Sequence, residues 1–203
     1  MNYALIKVCG MRDAENIREV EALGPDWLGL IFWPRSSRYV AERPVYLPTN
    51  AKRVGVFVDE DIDQVIKTAE EYALDLIQLH GHESPDYAAR LTKWQVIKAF
   101  NIATAADFGQ TSAYEGIVDY FLFDTKGKAV GGNGEKFDWS VLAYYQGETP
   151  FLLSGGIGPD DVERVRHFHH PKCIGIDLNS RFETAPGQKD AEQLRTFIKQ
   201  VRI

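Results

Sequence analysis

Short, largely apolar runs recur along the chain at residues 5–9, 27–32, 53–58, 76–79, 94–99, 120–123, 150–153 and 173–177. Each is separated from the next by a longer, charge-rich stretch. Runs of this length suit strands covered on both faces, and their alternation with amphipathic segments predicts repeated βα units around a parallel sheet. Eight strands is the number that closes a barrel. Between the runs, "DAENIREVEALG" predicts a helix capped by Asp13 and stopped by Gly24, and "DIDQVIKTAEEYA" a second capped by Asp61. "GPDDVERVRHF" and "KDAEQLRTFIKQVR" carry acidic first turns, which suit the helix dipole. "VAERPVYLPTN" holds two prolines and "NIATAADFGQTSAYEG" has weak apolar periodicity, so the units after strands two and five predict short or irregular helices.

Length then narrows the architecture. In 203 residues, eight βα repeats make a compact single-domain (β/α)8 TIM barrel over residues 1–203, with no Pro/Gly/Ser linker to divide it. An open doubly wound sheet is the alternative fold. It calls for a Gly-rich G-x-G-x-x-G after the first strand, and "CGMRDA" does not supply one.

Charge and cysteine usage narrow the partners. The net charge is −6, which argues against nucleic acid or an anionic membrane surface and leaves a small molecule or a protein. Cys9 and Cys173 lie far apart, so neither a disulfide framework nor a Cys-x-x-Cys metal motif is expected. The longest apolar run, "WLGLIFW", is too short to span a bilayer. A cytoplasmic protein, monomeric or weakly dimeric, is the expectation.

In a barrel of this kind, active sites sit at the carboxyl ends of the strands. That rim collects Cys9, residues 33–38, Asp59, His80, Asp124, residues 154–156 and residues 177–180. Gly155 and Gly156 follow strand seven, and Asn179 and Ser180 follow strand eight, where this fold binds phosphate. A bare tight turn is the other reading of the glycine pair. Alternation along strand one turns Lys7 and Cys9 into the barrel and Ile6 and Val8 outward. A lysine inside a barrel needs a carboxylate, and Asp177 on strand eight is the predicted partner. Such an ammonium would favour the thiolate of Cys9. Asp124 is expected at the rim across from Cys9, an acid facing a base, although helix capping would also account for it. Arg38 can hold a carboxylate bidentately, and His80 shares a strand face with Gln78. "RHFHHPKC" falls at the opposite end of the barrel, and no metal is expected there.

The blocks "KVCGM", "GLIFWPRSSRYV", "VGVFVDE", "IQLHG", "FLFDTK…GGNGEKFDW", "LLSGGIGPDDV" and "GIDLNSRFE…PGQKD" together resemble the phosphoribosylanthranilate isomerase family over essentially the whole chain. That resemblance implies an Amadori rearrangement in tryptophan biosynthesis, acting on a phosphosugar substrate without cofactor or metal. By position it implies Cys9 as general base, Asp124 as general acid, Arg38 on the anthranilate carboxylate, and Gly155, Gly156, Asn179 and Ser180 around the phosphate. His80 is expected to touch substrate, with Lys7 and Asp177 in support. Two departures stand out: Arg181 where glycine is common in the family, and "MRD" after Cys-Gly where isoleucine-threonine is frequent. The Gly-rich loop "TKGKAVGGNGEKFDW" is expected to close over substrate. A related phosphosugar isomerase and a non-catalytic phosphosugar-binding barrel are the alternatives.

Overall fold

The structure of the protein, a computed structural model, describes residues 5–124 and 139–202; the expected closing loop therefore lies outside the described residues except for Trp139. Eight parallel strands close a barrel in sequence order: β1 (Leu5–Cys9), β2 (Trp27–Ile31), β3 (Lys52–Phe57), β4 (Leu76–Leu79), β5 (Gln95–Asn101), β6 (Tyr120–Asp124), β7 (Phe151–Ser154) and β8 (Cys173–Leu178). Closure is made by β1 on β8, with Lys7 in register with Asp177. Two apolar shells follow from strand alternation. Ile6, Val8, Leu28, Leu30, Phe121 and Phe123 face outward into the layer beneath the helices, while Trp27, Val54, Leu76, Ile97, Leu122 and Leu152 fill the barrel interior. Trp27 meets Tyr120 edge to face within it, with ring centroids 5.3 Å apart.

Where acidic or hydroxyl caps precede apolar periodicity, helices form. Asp13 accepts from the Asn16 N–H at the start of α1 (Ala14–Glu21), Asp61 from Asp63 and Gln64 before α2 (Ile62–Glu71), and Ser84 from Tyr87 before α3 (Pro85–Ala89). α4 (Val162–His167) is entered through a 3₁₀ turn at Pro159–Asp161, and α5 (Ala191–Val201) is capped by Asp190. After β2 there is no helix. Residues 41–51 are instead caught by the buried carboxylate of Glu21, which accepts backbone N–H groups of Thr49, Asn50 and Ala51 at 2.6, 2.7 and 3.1 Å. Pro44 and Pro48 lack the N–H groups that a helix there would use. After β5 the chain makes 3₁₀ turns, Ala105–Gln110 and Ser112–Tyr114. A short hairpin, β9 (Glu183–Ala185) with β10 (Gln188–Lys189), follows β8 and turns at Gly187, whose φ is +82°.

Candidate active site

At the carboxyl ends of the strands a pocket of about 370 Å³ is lined by Cys9, Arg38, His80, Asp124, Gly155, Gly156, Asp177, Asn179, Ser180 and Arg181, among others. Every residue expected to act there therefore shares one cavity, except Lys7, which lies wholly buried beneath it.

Cys9 ends β1 on the interior face, 4% exposed. Its sulfur has room because β2 places Gly29 alongside; a Cβ on Gly29 would stand 2.7 Å from Sγ. Lys7 sits one step below and donates from Nζ to Asp177 Oδ1 at 2.8 Å. Asp177 Oδ2 accepts from Ser154 Oγ at 3.1 Å, so β7, β8 and β1 are joined by one polar line under the pocket. Burial pulls the Lys7 pKa down, but Asp177 and Cys9 together outweigh it and hold the ammonium above the ordinary lysine value. The expected thiolate does not follow. Burial pushes the Cys9 thiol up, Asp177 pushes the same way, and the lowering by Lys7 and Lys189 does not compensate. Sequence reasoning counted the nearby ammonium and missed the desolvation.

Across the pocket, Asp124 is the last residue of β6 and 5% exposed. His80, just past β4, places Nε2 3.9 Å from Asp124 Oδ2. Gln78 Nε2 donates to His80 Nδ1 at 2.9 Å, which puts the ring proton on Nε2, facing Asp124. Gly155 and Gly156 take φ of +99° and +67°, a conformation open to glycine at little cost. Gly158, at the start of the 3₁₀ turn that leads into α4, donates its N–H to Asp161 Oδ2 at 2.8 Å, so that donor is already engaged. The glycine pair, Asn179, Ser180 and Arg181 all line the pocket and are groups suited to an anion.

Arg38 reaches the pocket, but one edge of its guanidinium is engaged. Nε lies 2.8 Å from Glu183 Oε1 and Nη2 lies 2.6 Å from Oε2. Lys189 Nζ in turn donates to Glu183 at 2.6 Å and to Asn179 Oδ1 at 2.8 Å. The sequence reading singled out neither Glu183 nor Lys189. Both lie in the resembling block "GIDLNSRFE…PGQKD", but by themselves two opposite charges in "FETAPGQK" resemble any solvated loop. Arg12, in the "MRD" departure, ties the loop after β1 to Ser37 O and Pro186 O. Among the described residues, no three His, Cys, Asp or Glu side chains converge as a metal site, and no helix is long and apolar enough to cross a membrane.

Comparison with known proteins places this geometry. The family model for N-(5'-phosphoribosyl)anthranilate isomerase matches residues 6–200. An isomerase of that name from Parabacteroides distasonis is 52% identical over 205 residues, covering 97% of this chain and 93% of its own. A crystal structure of phosphoribosyl anthranilate isomerase in complex with reduced 1-(o-carboxyphenylamino)-1-deoxyribulose 5-phosphate superposes with a TM-score of 0.82 at 29% identity, covering 98% of each chain. A structure of monomers generated from the dimeric enzyme of Thermotoga maritima gives 0.81 at 29% identity, again with 98% of each chain covered. The chain belongs to the N-(5'-phosphoribosyl)anthranilate isomerase family, the isomerases of tryptophan biosynthesis.

Proposed function

We propose that the protein converts N-(5-phosphoribosyl)anthranilate to 1-(2-carboxyphenylamino)-1-deoxyribulose 5-phosphate, with Asp124 as general acid and Cys9 as general base. The observation that carries this reading is a single pocket with a carboxyl group at the end of β6, a thiol at the end of β1, a glycine-rich loop after β7 and an arginine after β2. Asp124, protonated, gives its proton to the furanose ring oxygen as the C1–O bond breaks. The nitrogen lone pair forms the C1=N iminium, with the His80 Nε2–H on hand to the aspartate left behind. Cys9, having first released its own thiol proton to solvent, then takes the C2 proton as thiolate, the C–H pair becomes the C1=C2 bond, and the iminium electrons return to nitrogen. The enol hydroxyl loses its proton, C1 gains one, and the ketone remains. The iminium is the electron sink, so the reaction proceeds by proton transfers among these groups.

Arg38 would hold the anthranilate carboxylate, with Gly155, Gly156, Asn179 and Ser180 around the phosphate. The same reading makes the protein a cytoplasmic, single-domain enzyme, monomeric or weakly dimeric. A fluorescence assay of phosphoribosylanthranilate consumption tests the assignment. Cys9→Ser and Asp124→Asn should each lower kcat by about 10²–10⁴. Inactivity of the wild type, or near-normal turnover by Asp124→Asn, overturns it.

A further inference from the structure

Two parts of the pocket wall are tied together by one buried ammonium. The Lys189 side chain is fully buried, and its Nζ donates both to Glu183 Oε1 and to Asn179 Oδ1. Glu183, itself 5% exposed at its side chain, grips Arg38 along the Nε/Nη2 edge and also accepts the Gly187 N–H at 3.1 Å. A guanidinium has two edges able to meet a carboxylate. With one committed to Glu183, the other remains for the pocket that Arg38 lines. Asn179 is sorted in the same way. Its amide oxygen is taken by Lys189, so its NH₂ is the group left to meet an anion.

These side chains converge over the residue that follows Cys9. A Cβ on Gly10 would stand 2.7 Å from Arg38 Cδ, 2.8 Å from Asn179 Oδ1 and 3.4 Å from Lys189 Nζ. Simple anchoring of the β9–β10 hairpin does not explain the charges. The hairpin is fastened to α1 by Asn16, which exchanges two hydrogen bonds with the Lys189 backbone at 2.7 and 2.9 Å.

We infer that Glu183 and Lys189 are positioning residues: Glu183 orients Arg38 toward the carboxylate end of the substrate, and Lys189 fixes both Glu183 and Asn179, setting the spacing between the carboxylate and phosphate ends. The inference rests on the roles proposed above for Arg38 and Asn179.

The test titrates two ligands, reduced 1-(o-carboxyphenylamino)-1-deoxyribulose 5-phosphate and its phenylamino counterpart without the carboxylate. Glu183→Gln, which preserves shape, should weaken the first roughly tenfold, the worth of one charged hydrogen bond, and the second by less than about twofold. Placed in an Arg38→Ala background, Glu183→Gln should change neither. Lys189→Met should weaken both ligands, with KM rising more than kcat falls, and Lys189→Arg should restore part of the loss. Equal weakening of both ligands by Glu183→Gln, or an effect that persists without Arg38, overturns the inference. If Arg38→Ala does not itself distinguish the two ligands, the proposed role of Arg38 fails and the inference falls with it. Should Lys189→Met fail to fold, the Glu183/Arg38 cycle decides alone.

Discussion

Lys7→Met removes the fully buried cation beneath the pocket while keeping an unbranched apolar stem of similar length, so little cavity cost accompanies the loss of charge. Asp177 Oδ1, 2.8 Å from Lys7 Nζ in the wild type, then loses that partner, and Ser154 Oγ at 3.1 Å is the one left on Oδ2. Removing one member of a buried ion pair typically costs about 3–5 kcal/mol. The surviving Ser154 bond and the 7% exposure of Asp177 place this case near the lower end, about 3 kcal/mol. For a chain of this size that is a fall in Tm of roughly 6–12 °C. Urea unfolding followed by tryptophan fluorescence measures it. Asp177→Asn should cost a similar amount, and Lys7→Met/Asp177→Asn much less than the sum, because no orphan charge is left. In the wild type, the Lys7 pKa is held above its ordinary 10.5, against the downward pull of burial, by Asp177 and Cys9. Its contribution is therefore intact below that pH and lost as pH rises through the folded value, a decline that Lys7→Met should lack. Single variants that each cost under about 1 kcal/mol, or a double variant equal to their sum, would refute the reasoning.

Gly29→Ala puts a Cβ 2.7 Å from Cys9 Sγ, so kcat should fall about 10²-fold with a stability loss of about 1–2 kcal/mol; turnover within about twofold of wild type would remove Cys9 from the reacting geometry. Glu21→Gln weakens the hold on the N–H groups of residues 49–51 and should cost about 1–3 kcal/mol in urea unfolding at pH 7. Burial raises the Glu21 pKa, but its hydrogen bonds from Tyr46 and the backbone win and hold it below 4.5. Wild-type stability should therefore decline as pH drops through that lower value, and the Gln variant should show a smaller decline. Thiolate absorbance should place the Cys9 midpoint above 9.0, read separately from Cys173, which burial pushes up to about 12; Asp177→Asn should move it down and Lys7→Met up. A midpoint below about 8.5 would show that burial does not dominate at this site.

The barrel was legible because strands buried on both faces leave apolar runs that polar helices cannot hide. All eight runs became strands, with ends moving by at most two residues, as where 94–99 became Gln95–Asn101. Helices with an acidic cap, after β1, β3 and β8, were legible for the same local reason. What escaped was decided at long range. The path of residues 41–51 depends on a carboxylate some thirty positions earlier, and β9 and β10 are too short to carry a period. Glu183 and Lys189 lay in a quoted block, but their role was hidden because a charge pair in a loop reads as solvated until the fold buries it. Alternation did place Lys7 and Cys9 inside, and strand closure did give Lys7 its aspartate. The depth of desolvation at the sulfur has no local signature.

That depth bears on how a raised thiol could serve as a base. Around Cys9 the fold sets three cations, Lys7, Lys189 and Arg38, against two carboxylates, Asp177 and Glu183. The surplus of one positive charge is the size that a thiolate would neutralise, yet burial still keeps the proton on sulfur in the empty pocket. A substrate carboxylate on Arg38 would consume that surplus and hold the proton there longer. Ring opening reverses the balance, because the iminium places a new cation one bond from the C2 proton inside a poorly solvated pocket. On the proposed mechanism, ionisation of Cys9 and formation of the iminium therefore favour one another. The thiol holds its proton most tightly once the substrate carboxylate is bound, and the electrostatic incentive to lose it arises only after Asp124 has delivered its own.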